Sequence, residues 1–341
     1  MTTKIDPIEA NPILFEMRSA VETSLKESVN RSFAADYLPM RQMLEHHFGW
    51  LDNLSSGKRI RPLLLLLVAE AAGTPWMKAL PAAVAIELIH NFSLIHDDIQ
   101  DHSEIRHNRP TLWVRNGIAQ AINAGDALFT IGLQKIWELS SDFPIELVKR
   151  VYLILNHTCL RLTQGQYLDL DFEQRDLVST GEYLEMINGK TNALITTTTQ
   201  IGALLGGADS QKEVQFSGYG HNLGLAFQIM DDYLGIWGES ASTGKSTSTD
   251  LTSHKKTYPI LIGLENDNPF KQRWLSGPIA VEETGAVAKL LQDTGAKEKT
   301  LDYANTLTNQ ALTDLTLACG DANPVLSTLS ALTEWLIKRS S

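Results

Sequence analysis

The sequence predicts an all-α protein, a bundle of many helices with few strands. Three observations carry this expectation. Six long segments place apolar residues at helical spacing, no stretch keeps the strict alternation of a half-exposed strand, and several segments are apolar around most of their circumference, which suits the inside of a bundle.

Taken in chain order, the first segment is Leu63–Ala72, where the run LLLLLVAEAA meets Glu70 well short of the ~20 apolar residues a membrane span needs, so it reads as a buried helix. Ala82–Ile95, Ala119–Leu139 and Pro144–Gln166 follow, each long enough for a helix and none alternating. In Gly181–Leu205, the β-leaning Thr196–Thr199 sits between ALI and QIGALL, so the helical neighbours decide the reading. Tyr219–Leu234 is the sixth. After it, GESASTGKSTSTDLTSHKK, Gly238 to Lys256, is rich in Ser, Thr and Gly and reads as a flap. Its TGKST superficially resembles a phosphate-binding GxxxxGK[ST] loop, but five residues separate Gly238 from Gly244 and no strand precedes it. No fixed-period repeat or low-complexity tail is visible, and one domain over residues 1–341 is expected.

Composition narrows the function. Hydrophobic residues make up 43% and charged residues 20%, the balance of a globular protein. A net charge of -11 argues against a nucleic-acid partner, since a phosphate backbone rewards a basic face. The two cysteines, Cys159 and Cys319, lie far apart, suggesting neither a disulfide framework nor a thiolate zinc site, and a cytoplasmic location is expected. The N-terminal stretch lacks the basic-then-apolar order of a signal peptide.

The apolar run AVAIELIHNFSLI ends in Asp97, Asp98 and Asp101. Asp97 and Asp101 are four apart and share a helix face, where two bare carboxylates ~6 Å apart at an effective dielectric of ~20 repel by about 3 kcal/mol. A metal ion or a basic group is therefore expected there. A second pair, Asp231 and Asp232, closes the run FQIM, with Gly235 four residues on. One such pair reads as a solvated helix end; two, each closing a long apolar helix, are hard to ascribe to coincidence, and if the helices are neighbours in the bundle the clusters can face each other across one cavity. Hard oxygen ligands without nearby cysteine favour Mg²⁺, which keeps coordination positions for substrate phosphate. The basic residues agree: SGKRIRP supplies Lys58, Arg59 and Arg61, RHNR supplies Arg106 and Arg109, GKT supplies Lys190, and the flap supplies Lys245, Lys255 and Lys256. Any one alone reads as surface charge, but the set in an acidic chain suggests diphosphate ligands.

From about Gly57 to Pro259 the order GKRIRP, DDIQD, RHNRP, AINAGDALF, GQYLDL, GKT and FQIMDDYLG resembles the trans-isoprenyl diphosphate synthases, the polyprenyl synthetase family. The resemblance implies the type I isoprenoid synthase fold, a helical bundle around a central apolar cavity. It implies three Mg²⁺ ions with Asp97, Asp101 and Asp231 as ligands, supported by Asp98 and Asp232. Arg106, Lys190 and Lys245 would hold the allylic diphosphate. Isopentenyl diphosphate would sit on Lys58, Arg61 and His90, with Lys255 from the flap and His107 where the family often has a second arginine. Thr191 and Gln228 match positions near the reacting carbons.

The implied reaction is ionisation of the allylic C–O bond, attack by the double bond of isopentenyl diphosphate, and loss of a proton. No side-chain nucleophile is needed for it, and none stands out. A homodimer is implied as well. A terpene cyclase acting on one allylic diphosphate would not need Lys58, Arg61 and His90, and a noncatalytic partner subunit would typically lose the aspartates. The residues four and five before Asp97, Ser93 and Phe92, are expected to limit chain length: the small one opens the upper wall, the aromatic one narrows what lies below. Geranylgeranyl diphosphate is the expected main product, with farnesyl diphosphate its rival.

Overall fold

A computed structural model describes residues 7–51, 57–238 and 249–339. Its long helices are α1 (Pro12–Ser32), α2 (Leu38–His47), α3 (Ile60–Ala72), α4 (Leu80–Gln100), α5 (Ile118–Lys135), α6 (Ile145–Glu173), α7 (Thr180–Ile187), α8 (Ala193–Leu205), α9 (Ser210–Trp237), α10 (Tyr258–Leu264), α11 (Thr284–Asp293), α12 (Ala296–Cys319) and α13 (Leu326–Arg339). Among the described residues the only strands are β1 (Ile105–Arg106) and β2 (Arg109–Pro110), a small hairpin. The all-α expectation holds.

Each of the six predicted segments is helical, with shifted ends. The α6 helix runs on to Glu173 and α9 starts at Ser210, both beyond the sequence estimates. The segment expected as one helix over Gly181–Leu205 is interrupted by a π turn at Asn188–Asn192. The threonine run is helical, as read, and Thr197, Thr198 and Thr199 are buried. Within the expected flap, Thr249–Thr252 forms a helical turn, while residues 239–248 lie outside the described residues.

The chain packs as two compact units: residues 1–156 with 198–210, and residues 157–197 with 211–341. In the first, α4 is apolar and buried over most of its surface, including Ala82 to Ile89. Residues Trp76–Gln100 are long and apolar enough by composition to cross a membrane (mean hydropathy 1.3), but 61% of the relevant window is buried inside the protein, as in a core helix.

Helices α4 and α5 pack in an antiparallel ladder. His96 lies on Gly125, Phe92 on Phe129 and Ile89 on Gly132. A Cβ on Gly125 would come within 2.3 Å of His96 Nε2, and one on Gly132 within 3.1 Å of Ile89 Cδ1, so the two glycines set how closely the helices approach. Between them the Phe92 and Phe129 rings meet at 5.0 Å. On the other side of the unit, a Cβ on Gly202 would stand 2.7 Å from the Leu65 carbonyl of α3.

The second unit is built on α9. Its Tyr219 hydroxyl shares a buried hydrogen bond of 2.8 Å with Thr333 of α13. At the start of α7, Ser179 and Glu182 form a capping box: Ser179 Oγ accepts from the Glu182 amide at 3.2 Å and Glu182 Oε2 accepts from the Ser179 amide at 2.9 Å. Tyr258 of α10 stacks on Tyr303 of α12 at 5.1 Å.

The Gly202 contact is with backbone, which cannot swing aside. Gly202→Ala is therefore expected to destabilise the protein by about 1–3 kcal/mol through overpacking, read as a lower denaturant midpoint at unchanged slope. An unaltered midpoint would refute the close-approach account.

Candidate active site

In the first unit the aspartates lie at the C-terminal end of α4, and the pair is divided. Asp98 is buried, whereas Asp97 is half-buried and Asp101, the C-cap residue, is exposed. Arg106 on β1 donates from Nε to Asp98 Oδ1 at 2.7 Å and from Nη2 to Asp97 Oδ2 at 3.4 Å. Burial raises the Asp98 pKa to about 6, with Arg106 working against it. Arg106, which the family resemblance assigns to the allylic diphosphate, is thus a partner of Asp98 and more weakly of Asp97.

The hairpin turns through His107 (φ 50) and Asn108 (φ 60), both left-handed, as a two-residue turn between right-twisted strands requires. The hydroxyl of Thr111 and the indole of Trp113 both donate to the Ser103 carbonyl, at 2.8 and 2.9 Å, and fix the hairpin's base. His107 is at the tip and exposed. Partial desolvation, then the charges of Arg106, Arg109 and Arg59, pull its pKa below 6.5, so its surroundings favour the neutral ring.

Arg61 and His90 meet. Arg61 Nη1 lies 3.1 Å from His90 Nε2, and because guanidinium only donates, that nitrogen accepts and His90 carries its proton on Nδ1. Desolvation, then the charges of Arg61, Arg106 and Arg59, hold the His90 pKa well below 6.5. Arg61 Nε is buried with no hydrogen-bond partner among the described residues. Lys58, three residues before Arg61 on the turn into α3, is half-buried. Ser93 donates its hydroxyl to the His90 carbonyl at 2.7 Å, and Phe92 meets Phe129 of α5 and, one turn on along α4, His96 edge-on.

In the second unit the π turn carries Lys190 and Thr191, both half-buried. A Cβ on Gly165 would come within 2.0 Å of the Lys190 amide nitrogen, and one on Gly189 within 2.8 Å of Gly165 Cα, so α6 and the turn touch backbone to backbone. The wide turn is braced by Asn192, whose Nδ2 lies 3.0 Å from both Asn188 Oδ1 and His221 Nδ1. The missing side chain of Gly224 makes room for Asn192 Oδ1. Lys190 Nζ is thereby brought onto Asp169 Oδ2. Burial alone would raise the Asp169 pKa, but Lys255 and Lys190 outweigh it and the net shift is downward. Asp169 and the exposed Lys255 also line a cavity of about 630 Å³ with Phe172, Met186 and Trp274.

The second aspartate pair is divided like the first. Asp231 is exposed; Asp232 is buried and accepts from the Tyr183 hydroxyl, from Gln228 Nε2 at 3.0 Å and from the Tyr258 amide at 3.1 Å. Burial pushes the Asp232 pKa up to about 7 against these donors. Gln228, expected near the reacting carbons, spends its amide N–H on Asp232. Where Gly235 lacks a Cβ, the carboxylate of Asp250 takes the space, 2.3 Å from where that atom would be. Lys245 lies outside the described residues.

The candidate ligands are carboxylates only. Burial pushes the Cys159 and Cys319 thiols to about 12 and 11, which removes them as soft ligands at neutral pH. Among the described residues no three His, Cys, Asp or Glu side chains are assembled into a cage. Mg²⁺ does not need one, because it is held by one or two carboxylates together with substrate phosphate. The donor set fits it.

Divided aspartate pairs and a lysine on a π turn are features that known families can share, and one family model, Polyprenyl synthetase, matches residues 44–293. The chain belongs to this family. It is accordingly a trans-prenyl diphosphate synthase. It is 36% identical over 316 residues to a (2E,6E)-farnesyl diphosphate synthase of Mycobacterium bovis, covering 89% of this chain and 87% of the relative. It is 39% identical over 253 residues to a geranylgeranyl diphosphate synthase of Methanosarcina mazei, covering 74% and 76%. Among solved structures, geranylgeranyl pyrophosphate synthetase from Pyrococcus horikoshii superposes with a TM-score of 0.86 at 30% identity, covering 95% of this chain and 96% of that one. The relatives thus carry both product lengths.

Asp169, Asn192 and Phe129 went unnoticed in the sequence. Asp169 lies inside GQYLDL, which was singled out as a motif without its acid being assigned a partner. Loss of that acid should untether Lys190: Asp169→Asn is expected to raise KM for the allylic diphosphate several-fold, on the order of one charge-assisted hydrogen bond. A drop in that KM in steady-state assays would show that Asp169 only opposes the substrate's charge.

Proposed function

We propose that this synthase condenses an allylic diphosphate with isopentenyl diphosphate and releases mainly geranylgeranyl diphosphate, working as a single isoprenoid synthase domain and as a cytoplasmic homodimer. The observation that supports the two-substrate reading is the Arg61–His90 pair, a guanidinium on a neutral ring rather than on an aspartate, with Lys58 three residues before it in the chain. A cyclase with one diphosphate substrate has no use for it.

In this reading Asp97, Asp101 and Asp231 hold Mg²⁺, which supplies positive charge to the leaving diphosphate when bound. Asp98 and Asp232, already spent on Arg106 and on Tyr183, Gln228 and Tyr258, orient their neighbours rather than bind metal. Lys190 holds the allylic diphosphate, joined by Lys245, and Arg106 is shared between that substrate and the first aspartates. Lys58, Arg61 and neutral His90 hold isopentenyl diphosphate, His90 by donating from Nδ1, with Lys255 and His107 at the margin. Thr191 lies next to Lys190 and lines the reacting carbons.

Product length rests on Phe92. Five residues before Asp97 on α4, it lies about 7.5 Å down the helix axis, and its contact with Phe129 makes a two-ring barrier, with the smaller Ser93 one residue nearer the aspartates.

Incubation with Mg²⁺, isopentenyl diphosphate and each short allylic diphosphate, followed by chromatography, tests the activity. A twenty-carbon linear diphosphate is expected; a cyclised hydrocarbon from one allylic substrate alone would replace this reading with the cyclase, and farnesyl diphosphate as end product would refute the length. Phe92→Ala should lengthen products by one or more five-carbon units. An unchanged distribution in a stable, active Phe92→Ala protein would remove Phe92 from that role.

A further inference from the structure

The motif that opens α3 contains an arginine that does not behave like its neighbours. Arg59 stands between Lys58 and Arg61, yet it is only 4% exposed. Its backbone is left-handed (φ 54, ψ 37), a conformation that costs a non-glycine residue about 1–3 kcal/mol unless the surroundings enforce it. They do. Arg59 Nε donates to Glu22 Oε2 of α1 at 3.0 Å, and Nη1 donates to Glu87 Oε1 of α4 at 2.8 Å. The guanidinium also lies over the Phe48 ring, 5.4 Å from its centroid, and Phe48 stacks on Trp50.

Each carboxylate is itself fixed. Glu22 accepts from the Trp50 indole. Glu87, buried in the middle of an otherwise apolar helix, accepts from Asn91 Nδ2 at 3.0 Å, and Asn91 Oδ1 meets His47 Nε2 at 3.0 Å. Burial works against the charge on Arg59, but Glu87 and Glu22 outweigh it, so the arginine stays charged. A guanidinium enclosed in this way has little surface left to offer a substrate.

We propose that Arg59 is a positioning residue for isopentenyl diphosphate: clamped between Glu22 and Glu87, it holds the turn before α3 left-handed so that Lys58 and Arg61 face the diphosphate, and it does not touch the substrate itself. The inference rests on the assignment of Lys58, Arg61 and His90 to isopentenyl diphosphate made above.

The two carboxylates give the test a sign. If they acted only through charge, removing either would relieve repulsion of a diphosphate and lower its KM. If they hold Arg59, removing either loosens the turn and raises it. Glu87→Gln and Glu22→Gln are therefore each expected to raise KM for isopentenyl diphosphate about three- to tenfold, the scale of turning a charge-assisted hydrogen bond into a neutral one, with KM for the allylic diphosphate within about twofold of wild type. Glu22 is at the edge of the cluster, with its side chain 29% exposed, so its variant tests the clamp without a wholly buried substitution. Arg59→Gly, which tolerates the left-handed backbone but lacks the clamp, should show the same selective rise.

Arg61→Ala, assayed alongside, separates the two levels of the argument. A selective rise in its KM for isopentenyl diphosphate, with unchanged or lowered values in both glutamate variants, overturns the positioning role alone. A rise confined to the allylic substrate in Arg61→Ala overturns the site assignment and the positioning role together.

Discussion

Both aspartate pairs stand near the C-terminal ends of long helices, where the macrodipole is negative and a carboxylate is least welcome. This constraint shapes much of what surrounds them. Each pair responds by dividing its labour. One carboxylate, Asp98 or Asp232, is buried and tied to donors from neighbouring elements; the other is more exposed, Asp97 half-buried and Asp231 exposed. The hairpin after α4 supplies Arg106, and α7 supplies Tyr183. The hairpin serves mainly as a support for the charge on α4, whereas α7 also packs Tyr183, Met186 and Ile187 into the core.

The basic side follows a related logic. Lys190 rests on Asp169 and Arg59 on Glu22 and Glu87, carboxylates separate from the candidate metal ligands. A partly buried cation without such a partner would lose its charge or its place. With one, it stays charged and aimed before substrate arrives. Arg61 differs, since its neighbour His90 is neutral and its Nε has no partner among the described residues. Glu87 acts on it only through charge, which suits a group that spends its hydrogen bonds on a ligand.

Much of this was legible in the sequence. Apolar spacing revealed the helices, because burying one face or all faces leaves a mark on every third or fourth residue. The aspartate pairs were legible because carboxylates at the end of an apolar run are conspicuous, and the order of motifs identified the family. What escaped depended on contacts between distant segments. Phe129 meets Phe92 only once α4 and α5 are placed in antiparallel register, and that register is set by Gly125 and Gly132, which in sequence look like ordinary small residues. Gln228 was read as a substrate contact although Asp232 lies one helical turn away and takes its amide. The capped start of α7 was not used either, although Ser179 and Glu182 have the spacing of a capping box.

The π turn at Asn188–Asn192 escaped for another reason: nothing in the letters NGKTN separates a wide turn from an ordinary one. Such a turn amounts to one residue inserted into a helix. Because each residue advances a helix by about 100°, an ordinary α turn there would rotate α8 by that angle relative to α7. The buried threonines and Gly202 would then point elsewhere on the cylinder. The extra residue thus sets the phase of a whole helix as well as the place of one lysine, so a relative one residue shorter here would need a different pattern of small and large side chains along α8.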